Sequence, residues 1–105
     1  MPFFVIVTAR AENKIIRLSE PLFHIGRSKS VCDFVLDHSA VSRMHLIVRV
    51  DGTKTFVADN HTRNGTRVNG EPLVGQRELK DGDIIEICGH FLEFHADEET
   101  EAGDF

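Results

Sequence analysis

The chain has few of the residues and segments that mark several large protein classes. Its 105 residues include two cysteines, Cys32 and Cys88, which are too few for a disulfide-stabilised scaffold, and neither lies in a Cys-x-x-Cys pair. Three prolines and eight glycines exclude a collagen-like or low-complexity chain. The longest uncharged apolar stretch, residues 2–9, is too short to span a membrane, and no basic segment precedes it. We therefore expect neither membrane insertion nor secretion, and a reducing, cytoplasmic setting.

Negative charge is concentrated at one end of the chain. The formal net charge is −5, and the last ten positions hold five acidic residues and no basic residue. Residues 1–95 carry twelve acidic and twelve basic side chains and are formally neutral. Such a body lacks the dense basic surface that nucleic-acid binding requires, so no nucleic-acid partner is expected. We predict one domain over residues 1–95, followed at residues 96–105 by an acidic tail that is flexible or begins a linker.

Alternation of apolar and polar residues predicts β-strands over most of the domain. Residues 46–50, 85–88 and 92–95 alternate with the period of a half-buried strand. Seven further short segments are strand candidates: residues 3–10, 14–19, 22–26, 33–36, 55–58, 66–68 and 77–79. No window of ten residues carries an amphipathic helical stripe. The pattern predicts an all-β fold, a two-sheet antiparallel β-sandwich of about ten or eleven short strands with no substantial helix.

Four Asx-Gly pairs separate apolar segments, at positions 51–52, 64–65, 69–70 and 81–82. Hairpin turns require residues that tolerate positive φ, and these residue types do so readily. We therefore expect the four pairs in turns. A sandwich places its turns at two ends, where the strands hold the loops in fixed relative positions.

Three of the predicted loops are rich in basic and hydroxyl side chains. They cover residues 26–30, 39–45 and 60–67, whereas the turns at 51–52 and 81–83 are acidic or neutral. Basic, hydroxyl-rich loops on a neutral body are typical of a local anion-binding site.

The motifs in these loops resemble those of the forkhead-associated (FHA) domain, a phosphothreonine-peptide-binding β-sandwich. They stand in the family's order: Gly26-Arg27 after a strand, Ser42-x-x-His45 before a strand, then Asn64-Gly65-Thr66 and Asn69-Gly70. Residues 79–94 resemble the family's last hairpin. Each motif alone is common, but their order and spacing over residues 3–95 are specific. The resemblance implies a module that recognises phosphothreonine on a partner protein, or on its own flanking region, for signalling or assembly.

The first two basic loops contain candidate phosphate ligands. A phosphate monoester is close to a dianion at neutral pH and offers three acceptor oxygens. The guanidinium of Arg27 can bind two of them at once, Ser42 supplies a hydroxyl donor, and Arg43 adds a second cation. The backbone of residues 42–43 can offer N–H donors of the kind that form an anion nest. The resemblance supports Arg27 and Ser42 as the main phosphate ligands, with Arg43 assisting.

Two Asn-Gly pairs are given different roles. Asn64 is expected to bind the peptide main chain beside the phosphothreonine, because an amide side chain has both donors and an acceptor, and the family uses its asparagine in this way. A type I′ turn at Asn64-Gly65 competes with that interpretation, and both can hold at once. Asn69-Gly70 is expected to be a turn only, with Asn69 bracing the loop.

Two residues are given structural roles. His45 opens an apolar run, so its side chain is expected to point inward and to hold the Ser42 loop in shape, a role that the resemblance also implies. Gly26 is expected to permit a tight turn or a close backbone approach beside the ligand.

One position departs from the family pattern. The family often has Ser or Thr directly before the asparagine, whereas this chain has Arg63 there and Thr62 one residue earlier. Arg63 and Thr62 are therefore additional candidate phosphate ligands. Three alternatives stay open: Arg63 replaces the hydroxyl, Thr62 takes its place, or the pocket is altered and selectivity for phosphothreonine over phosphoserine is relaxed.

The sequence contains no enzymatic motif. Its six histidines show no HExxH or HxH spacing, and no Walker or GxGxxG loop is present, so we predict no catalysis, no metal and no cofactor. The alternative function is an FHA-like scaffold that docks a protein partner without phosphate, through a sheet face or an exposed edge. Arg63 favours that alternative, and the retained Arg27, Ser42 and Asn64 argue against it. The isolated domain is expected to be a monomer.

Overall fold

The computed structural model of the protein describes residues 1–7 and 14–96, and this part of the chain consists of strands and loops without a helix. No helix in it therefore has the length and apolar character needed to cross a membrane. Its eleven strands are β1 (Phe3–Val7), β2 (Lys14–Arg17), β3 (Leu22–Gly26), β4 (Phe34–Val35), β5 (Leu46–Asp51), β6 (Lys54–Asp59), β7 (Arg67–Val68), β8 (Glu71–Pro72), β9 (Gln76–Glu78), β10 (Ile84–Ile87) and β11 (His90–His95).

The strands form two sheets, which confirms the predicted all-β sandwich. The first sheet has the order β2-β1-β11-β10-β7-β8, and the second has the order β4-β3-β5-β6-β9. One short ladder, between β3 and β4, is parallel, so the expectation of a wholly antiparallel fold is wrong there. Alternation of side chains predicts that a strand exists but not the direction in which it runs.

Some predicted strand limits also change. The strand predicted over residues 14–19 ends at Arg17, and the Glu71–Pro72 strand has no counterpart in the prediction because two residues carry no periodicity. The end of the first predicted strand, residues 8–10, lies outside the described residues. So does the predicted acidic tail, except for Ala96, whose backbone N–H donates to Asp81 Oδ1 at 2.9 Å.

The two sheets share one hydrophobic core. Phe4 of β1 and Phe94 of β11 are both almost fully buried, and their rings meet edge to face with centroids 5.7 Å apart. Ile25 and Leu46 contribute from the second sheet, and neither is exposed to solvent. Burial of each such side chain stabilises the fold by roughly 1.5–3 kcal/mol. The core therefore fixes the strand ends from which the loops project.

Two of the hairpins turn through pairs of residues with positive φ. Asn69 and Gly70, with φ of 53° and 84°, join β7 to β8, as a type I′ turn requires. Cys88 and Gly89, with φ of 48° and 87°, join β10 to β11 in the same way. Cys88 therefore lies in a turn and not in the strand predicted over residues 85–88.

The side chain of Asn69 also stabilises the loop that precedes β10. Its Nδ2 donates to Asp83 Oδ1 at 2.9 Å, and its Oδ1 accepts the backbone N–H of Ile84 at 2.9 Å. The side chain thus joins the β7–β8 turn to the loop that precedes β10.

The first residue of β11 is a partly buried histidine, His90. Both ring nitrogens of His90 are inaccessible and have no hydrogen-bond partner in the described part of the chain. Burial lowers the pKa of His90 below its ordinary value of 6.5, and the nearby His38, whose ring centroid is 5.7 Å away, lowers it further. The folded protein therefore holds His90 in its neutral form.

This depressed pKa predicts a loss of stability on mild acidification. Below about pH 6.5 the unfolded chain binds a proton at His90 that the folded chain does not, so the free energy of unfolding falls as the pH decreases. Denaturant titrations at about pH 7.5 and pH 5.5 should show a smaller decrease for His90→Leu than for the parent protein. Equal decreases would contradict this assignment.

Candidate functional site

Three loops meet at one end of the sandwich, and backbone hydrogen bonds join the first two. The first loop, residues 27–33, follows β3; the second, residues 36–45, precedes β5; the third, residues 60–66, follows β6. Arg27 N–H donates to the Ser42 carbonyl at 3.0 Å, and Ser28 N–H donates to the Arg43 carbonyl at 3.1 Å. The first loop is thereby fixed against the second.

Side-chain amides join the third loop to the second. Asn60 Nδ2 donates to the Met44 carbonyl at 3.1 Å, and Asn64 Nδ2 donates to the Ala40 carbonyl at 2.7 Å. The second loop is therefore held from both sides, so the three loops keep fixed relative positions.

Gly26, at the end of β3, allows the first two loops to approach this closely. A Cβ atom at this position would overlap the Arg43 carbonyl oxygen and would lie 2.9 Å from the backbone nitrogen of His45. Both neighbours are backbone atoms that hydrogen bonds hold in place, so a larger residue would displace the second loop.

His45 is fully buried between the second and third loops. Its Nδ1 accepts the Ser42 backbone N–H at 3.0 Å, and its Nε2 lies 2.9 Å from the Gly65 carbonyl. An acceptor at Nδ1 and a carbonyl at Nε2 require the neutral tautomer with the proton on Nε2. The imidazole thus joins two loops that are 20 residues apart in sequence.

The third loop is organised by a carboxylate that the sequence analysis did not assign to it. Asp59 accepts hydrogen bonds from Thr62 N–H at 2.9 Å, from Thr62 Oγ1 at 2.6 Å and from Thr66 Oγ1 at 2.7 Å. Burial raises the pKa of Asp59, but these hydrogen bonds outweigh it and the pKa lies below its ordinary value. The spacing of Asp59 and Thr62, Asp-x-x-Thr, is the feature of the sequence that indicates this role, because a carboxylate at that spacing caps a turn.

Both thiols donate to the second loop. Cys32 Sγ lies 3.0 Å from the Arg43 carbonyl, and Cys88 Sγ lies 3.3 Å from the Ala40 carbonyl. Burial raises the pKa of each thiol, so both keep the proton that they donate at neutral pH. Neither cysteine is in a disulfide.

The three loops enclose an open cleft of about 570 Å³. Two of its lining side chains are cationic, those of Arg27 and Arg43, and none is a carboxylate; the full lining is Arg27, Ser28, Ser30, Val31, Ser42, Arg43, Met44, Asn60 and His61. An open cleft with two cations, several hydroxyls and no carboxylate is suited to an anion. The two predicted main phosphate ligands, Arg27 and Ser42, and the assisting Arg43 therefore line one cleft.

The Arg27 guanidinium is held in place by the loop opposite. Its Nε donates to the Val41 carbonyl at 2.9 Å, while the side chain remains exposed to the cleft. One of the five N–H donors of the guanidinium is used in this way, and the other four remain for a ligand.

The backbone of Ser42 has a different role from the one predicted. Its N–H donates to His45 Nδ1, so it is not a free donor for an anion nest. The predicted anion nest therefore loses this donor, because the imidazole of His45, which shapes the loop, accepts its hydrogen bond. The Ser42 side chain lines the cleft.

Thr62, Arg63 and Asn64 do not line this cleft. The Thr62 hydroxyl donates its only proton to Asp59 and accepts the Gly65 N–H at 3.0 Å, which argues against its replacing a phosphate-binding hydroxyl. The Arg63 side chain is exposed. Asn64 lines a second cleft of about 310 Å³, together with His38, Ala40, Gly65, Arg67, Glu86 and Cys88.

Asn64-Gly65 is not a hairpin turn. Gly65 has a φ of 76° but Asn64 is not at positive φ, whereas a type I′ turn needs both. The loop crosses between the sheets, because β6 pairs with β9 and β7 pairs with β10. The turn interpretation of this pair is therefore wrong.

Six residues of the cleft were absent from the sequence-based assignment: the apolar Val31 and Met44, and four polar residues. Ser28 and Ser30 bring two hydroxyls, 3.0 Å apart, to the wall formed by the first loop. Asn60 and His61 form the opposite wall, and His61 has a φ of 51°. The hydroxyl-rich composition of residues 26–30 is the signal for the two serines, whereas nothing local distinguishes Asn60 and His61.

Comparison with protein families matches residues 23–88 to the FHA domain. The chain belongs to the FHA-domain family. The match spans all three loops and both clefts of this FHA domain, and it confirms the resemblance seen in the sequence.

Known proteins agree with this assignment. The FHA domain-containing protein FhaA of Mycobacterium tuberculosis is 44% identical over 66 residues, which are 63% of this chain and 12% of FhaA. The solved structure of M. tuberculosis EmbR with a low-affinity phosphopeptide is 30% identical, with a TM-score of 0.81, and the match covers 91% of this chain and 24% of EmbR. This FHA domain thus spans a small part of the curated relatives it matches first.

A third comparison comes from a structural and functional analysis of phosphothreonine-dependent FHA domain interactions. That structure is 31% identical with a TM-score of 0.78, and the match covers 89% of this chain and 95% of the other. The whole sandwich, and not only its loops, is therefore shared.

Proposed function

We propose that this FHA domain binds phosphothreonine on a partner protein or on its own flanking region, with the phosphate in the cleft of about 570 Å³. The observation that carries the proposal is the lining of that cleft, in which Arg27, Ser42 and Arg43 converge and no carboxylate is present. The EmbR structure, solved with a phosphopeptide, supports it.

Arg27 is the principal ligand in this proposal. Because its Nε is fixed by the Val41 carbonyl, the guanidinium loses little conformational freedom when it binds phosphate. Its terminal nitrogens can then donate to two phosphate oxygens together. Ser42 donates its hydroxyl to the phosphate, and Arg43 adds charge from the rim, where its side chain is exposed.

Asn64 is proposed to bind the peptide main chain. One N–H of its side-chain amide donates to the Ala40 carbonyl. The exposed side chain retains a second N–H and an oxygen for a ligand. Asn64 stands beside the second cleft, so a peptide that binds both Arg27 and Asn64 extends across the third loop.

We propose further that the domain, residues 1–95, acts by binding and not by catalysis. A cytoplasmic location is part of the proposal, and the two free cysteines support it. The neutral body of the domain favours a phosphorylated protein over a nucleic acid as the partner.

Arg63, which stands where the family often has Ser or Thr, is expected to change the affinity for a phosphothreonine peptide only slightly. An exposed guanidinium outside the cleft acts on the phosphate only through screened, long-range attraction. Calorimetric titration of Arg63→Thr should therefore show a loss of affinity below about threefold at 0.15 M salt, disappearing at about 1 M salt. A tenfold loss, or one insensitive to salt, would instead place Arg63 in contact with the phosphate.

The proposal is tested with an oriented phosphothreonine peptide library, followed by calorimetry on one selected sequence. The phosphothreonine form should bind with a Kd in the micromolar range, near −8 kcal/mol, and the unphosphorylated form should bind at least about a hundredfold more weakly. A phosphoserine version of the same peptide measures the contribution of the threonine methyl group. Equal binding with and without phosphate would favour docking of a partner independently of phosphate, through a sheet face or edge.

A further inference from the structure

His61 adopts a backbone conformation that most residues with a side chain avoid. Its φ is 51°, and in the described part of the chain only two other non-glycine residues have positive φ, Asn69 and Cys88. Those two begin tight hairpin turns, in which the turn itself requires positive φ. His61 lies instead in the third loop, which crosses between the sheets and forms no hairpin. Residues in this conformation cluster at ligand-binding sites, so the surroundings of the His61 side chain indicate its role.

No contact within the fold explains why this position is a histidine. The other five histidines each contact a partner through a hydrogen bond, a nearby carboxylate or a second ring: His24, His38, His45, His90 and His95. Among residues 1–7 and 14–96, the imidazole of His61 has no hydrogen bond, ion pair or ring contact, and the side chain is exposed. Both ring nitrogens are therefore free to bind a ligand.

His61 is also the side chain through which the third loop can reach the phosphate. Two residues of this loop line the cleft of about 570 Å³, Asn60 and His61. Side-chain hydrogen bonds occupy Asn60 and Thr62, and Arg63 does not line the cleft. In the described part of this loop, His61 therefore combines a place in the cleft with an uncommitted polar side chain.

The charges around His61 are suited to an anion. Arg27 from the first loop and Arg43 from the second line the same cleft, and no carboxylate does. On its own loop, Arg63 is exposed, and the Asp59 carboxylate accepts hydrogen bonds from two threonine hydroxyls. An imidazolium at this position therefore has no acidic side chain beside it in the cleft, and a phosphate dianion can supply the opposite charge.

We propose that His61 is a further phosphate ligand in this cleft and that it binds the phosphate most strongly when its imidazole is protonated. The inference rests on the proposed binding of phosphothreonine in the same cleft. A neutral imidazole has one N–H donor, whereas an imidazolium has two and a positive charge. Imidazole side chains change charge between about pH 5 and pH 8, whereas arginine stays charged. The affinity therefore contains a pH-dependent contribution that Arg27 and Arg43 do not give.

This contribution is present in mildly acidic solution and is lost as the pH rises. The phosphate changes in the opposite direction, because its second ionisation near pH 6 makes it a dianion at higher pH. The affinity of the parent protein alone therefore combines two effects. The ratio of the Kd of a His61 variant to the Kd of the parent protein, measured with the same peptide at the same pH, isolates the imidazole.

Calorimetric titration with one library-selected phosphothreonine peptide, at about pH 6 and about pH 8, tests the proposal. His61→Gly removes the imidazole and accepts positive φ. Its Kd should exceed that of the parent protein by about threefold to tenfold at about pH 6, and by less than about twofold at about pH 8. His61→Asn also tolerates positive φ and should show the same trend.

The matched control is His95→Gln, which removes a histidine that lines neither cleft. Its Kd should stay within about twofold of the parent value at both pH values. Thermal unfolding at both pH values shows that each variant is folded, and His61→Asn decides the matter if His61→Gly is not. Because His61 is exposed, both His61 variants should melt within about 3 °C of the parent protein.

Two results would overturn this inference alone: a Kd ratio for the His61 variants that does not fall between about pH 6 and pH 8, or an equal fall in the ratio for His95→Gln. In both cases the parent protein still prefers the phosphorylated peptide. Equal binding of the phosphorylated and unphosphorylated peptides by the parent protein would instead overturn the proposed function, and this inference with it.

Discussion

Replacement of Arg27 by alanine is expected to weaken binding of a phosphothreonine peptide by about tenfold to a hundredfold. A charge-assisted hydrogen bond to phosphate contributes roughly 1.5–3 kcal/mol, and alanine removes every such bond that this side chain makes. Arg27→Lys should give an intermediate loss, because lysine keeps the charge but not the planar pair of donors. Calorimetric titration measures all three proteins.

A control separates this effect from a general change of charge. Arg77 lines neither cleft, and its guanidinium lies 3.6 Å from the Glu71 carboxylate. Arg77→Ala should change the affinity by less than about threefold. Arg27→Ala also removes the bond to Val41, which should lower the free energy of unfolding by about 1 kcal/mol without unfolding the domain. An affinity within twofold of the parent protein would exclude Arg27 as a ligand.

Replacement of His45 by alanine should lower the free energy of unfolding more than replacement of Arg27 does. The substitution leaves the buried Ser42 N–H and the Gly65 carbonyl without their partner and opens a cavity between two loops. Each unsatisfied buried group costs about 1–3 kcal/mol, so we expect a loss of roughly 2–4 kcal/mol. For a domain of this size that loss lowers Tm by about 10–25 °C in scanning calorimetry.

The matched control is His61→Asn. His61 is an exposed histidine at positive φ, a conformation that asparagine also tolerates. Its Tm should stay within about 3 °C of the parent value, because an exposed substitution away from packed contacts changes stability by less than about 0.5 kcal/mol. If His45→Ala melts as the parent protein does, His45 does not hold the loops together.

The strands could be predicted because their cause is local. Alternation such as Ile85 and Ile87 against polar neighbours is a property of a few consecutive residues, and it fixes which side chains enter the core. The hairpin at Asn69-Gly70 was predictable for the same reason, since both residues tolerate positive φ. Cys88 escaped detection in the same kind of turn, because cysteine has no preference for that conformation.

The candidate site could be predicted only in part, because its geometry depends on distant partners. Arg27 and Ser42 were recognisable from motif order, but the bond from Ser42 N–H to His45, which removes a predicted donor, is a tertiary contact. The turn interpretation of Asn64-Gly65, which competed with a role in peptide binding, fails because the sequence does not show that the chain crosses between sheets there. The role of Thr62 depends likewise on where Asp59 lies.

Binding of phosphate in the loop cleft is tested most directly by nuclear magnetic resonance. Titration of the ¹⁵N-labelled domain with one library-selected phosphothreonine peptide, and with the same peptide unphosphorylated, maps the surface that each contacts. Phosphate-dependent shifts should be largest at the backbone amides of residues 27–30, 42–44 and 60–64, and Arg27→Ala should need about tenfold to a hundredfold more peptide to reach the same shifts. Shifts of equal size with the unphosphorylated peptide, or shifts confined to the sheet faces, would contradict the account.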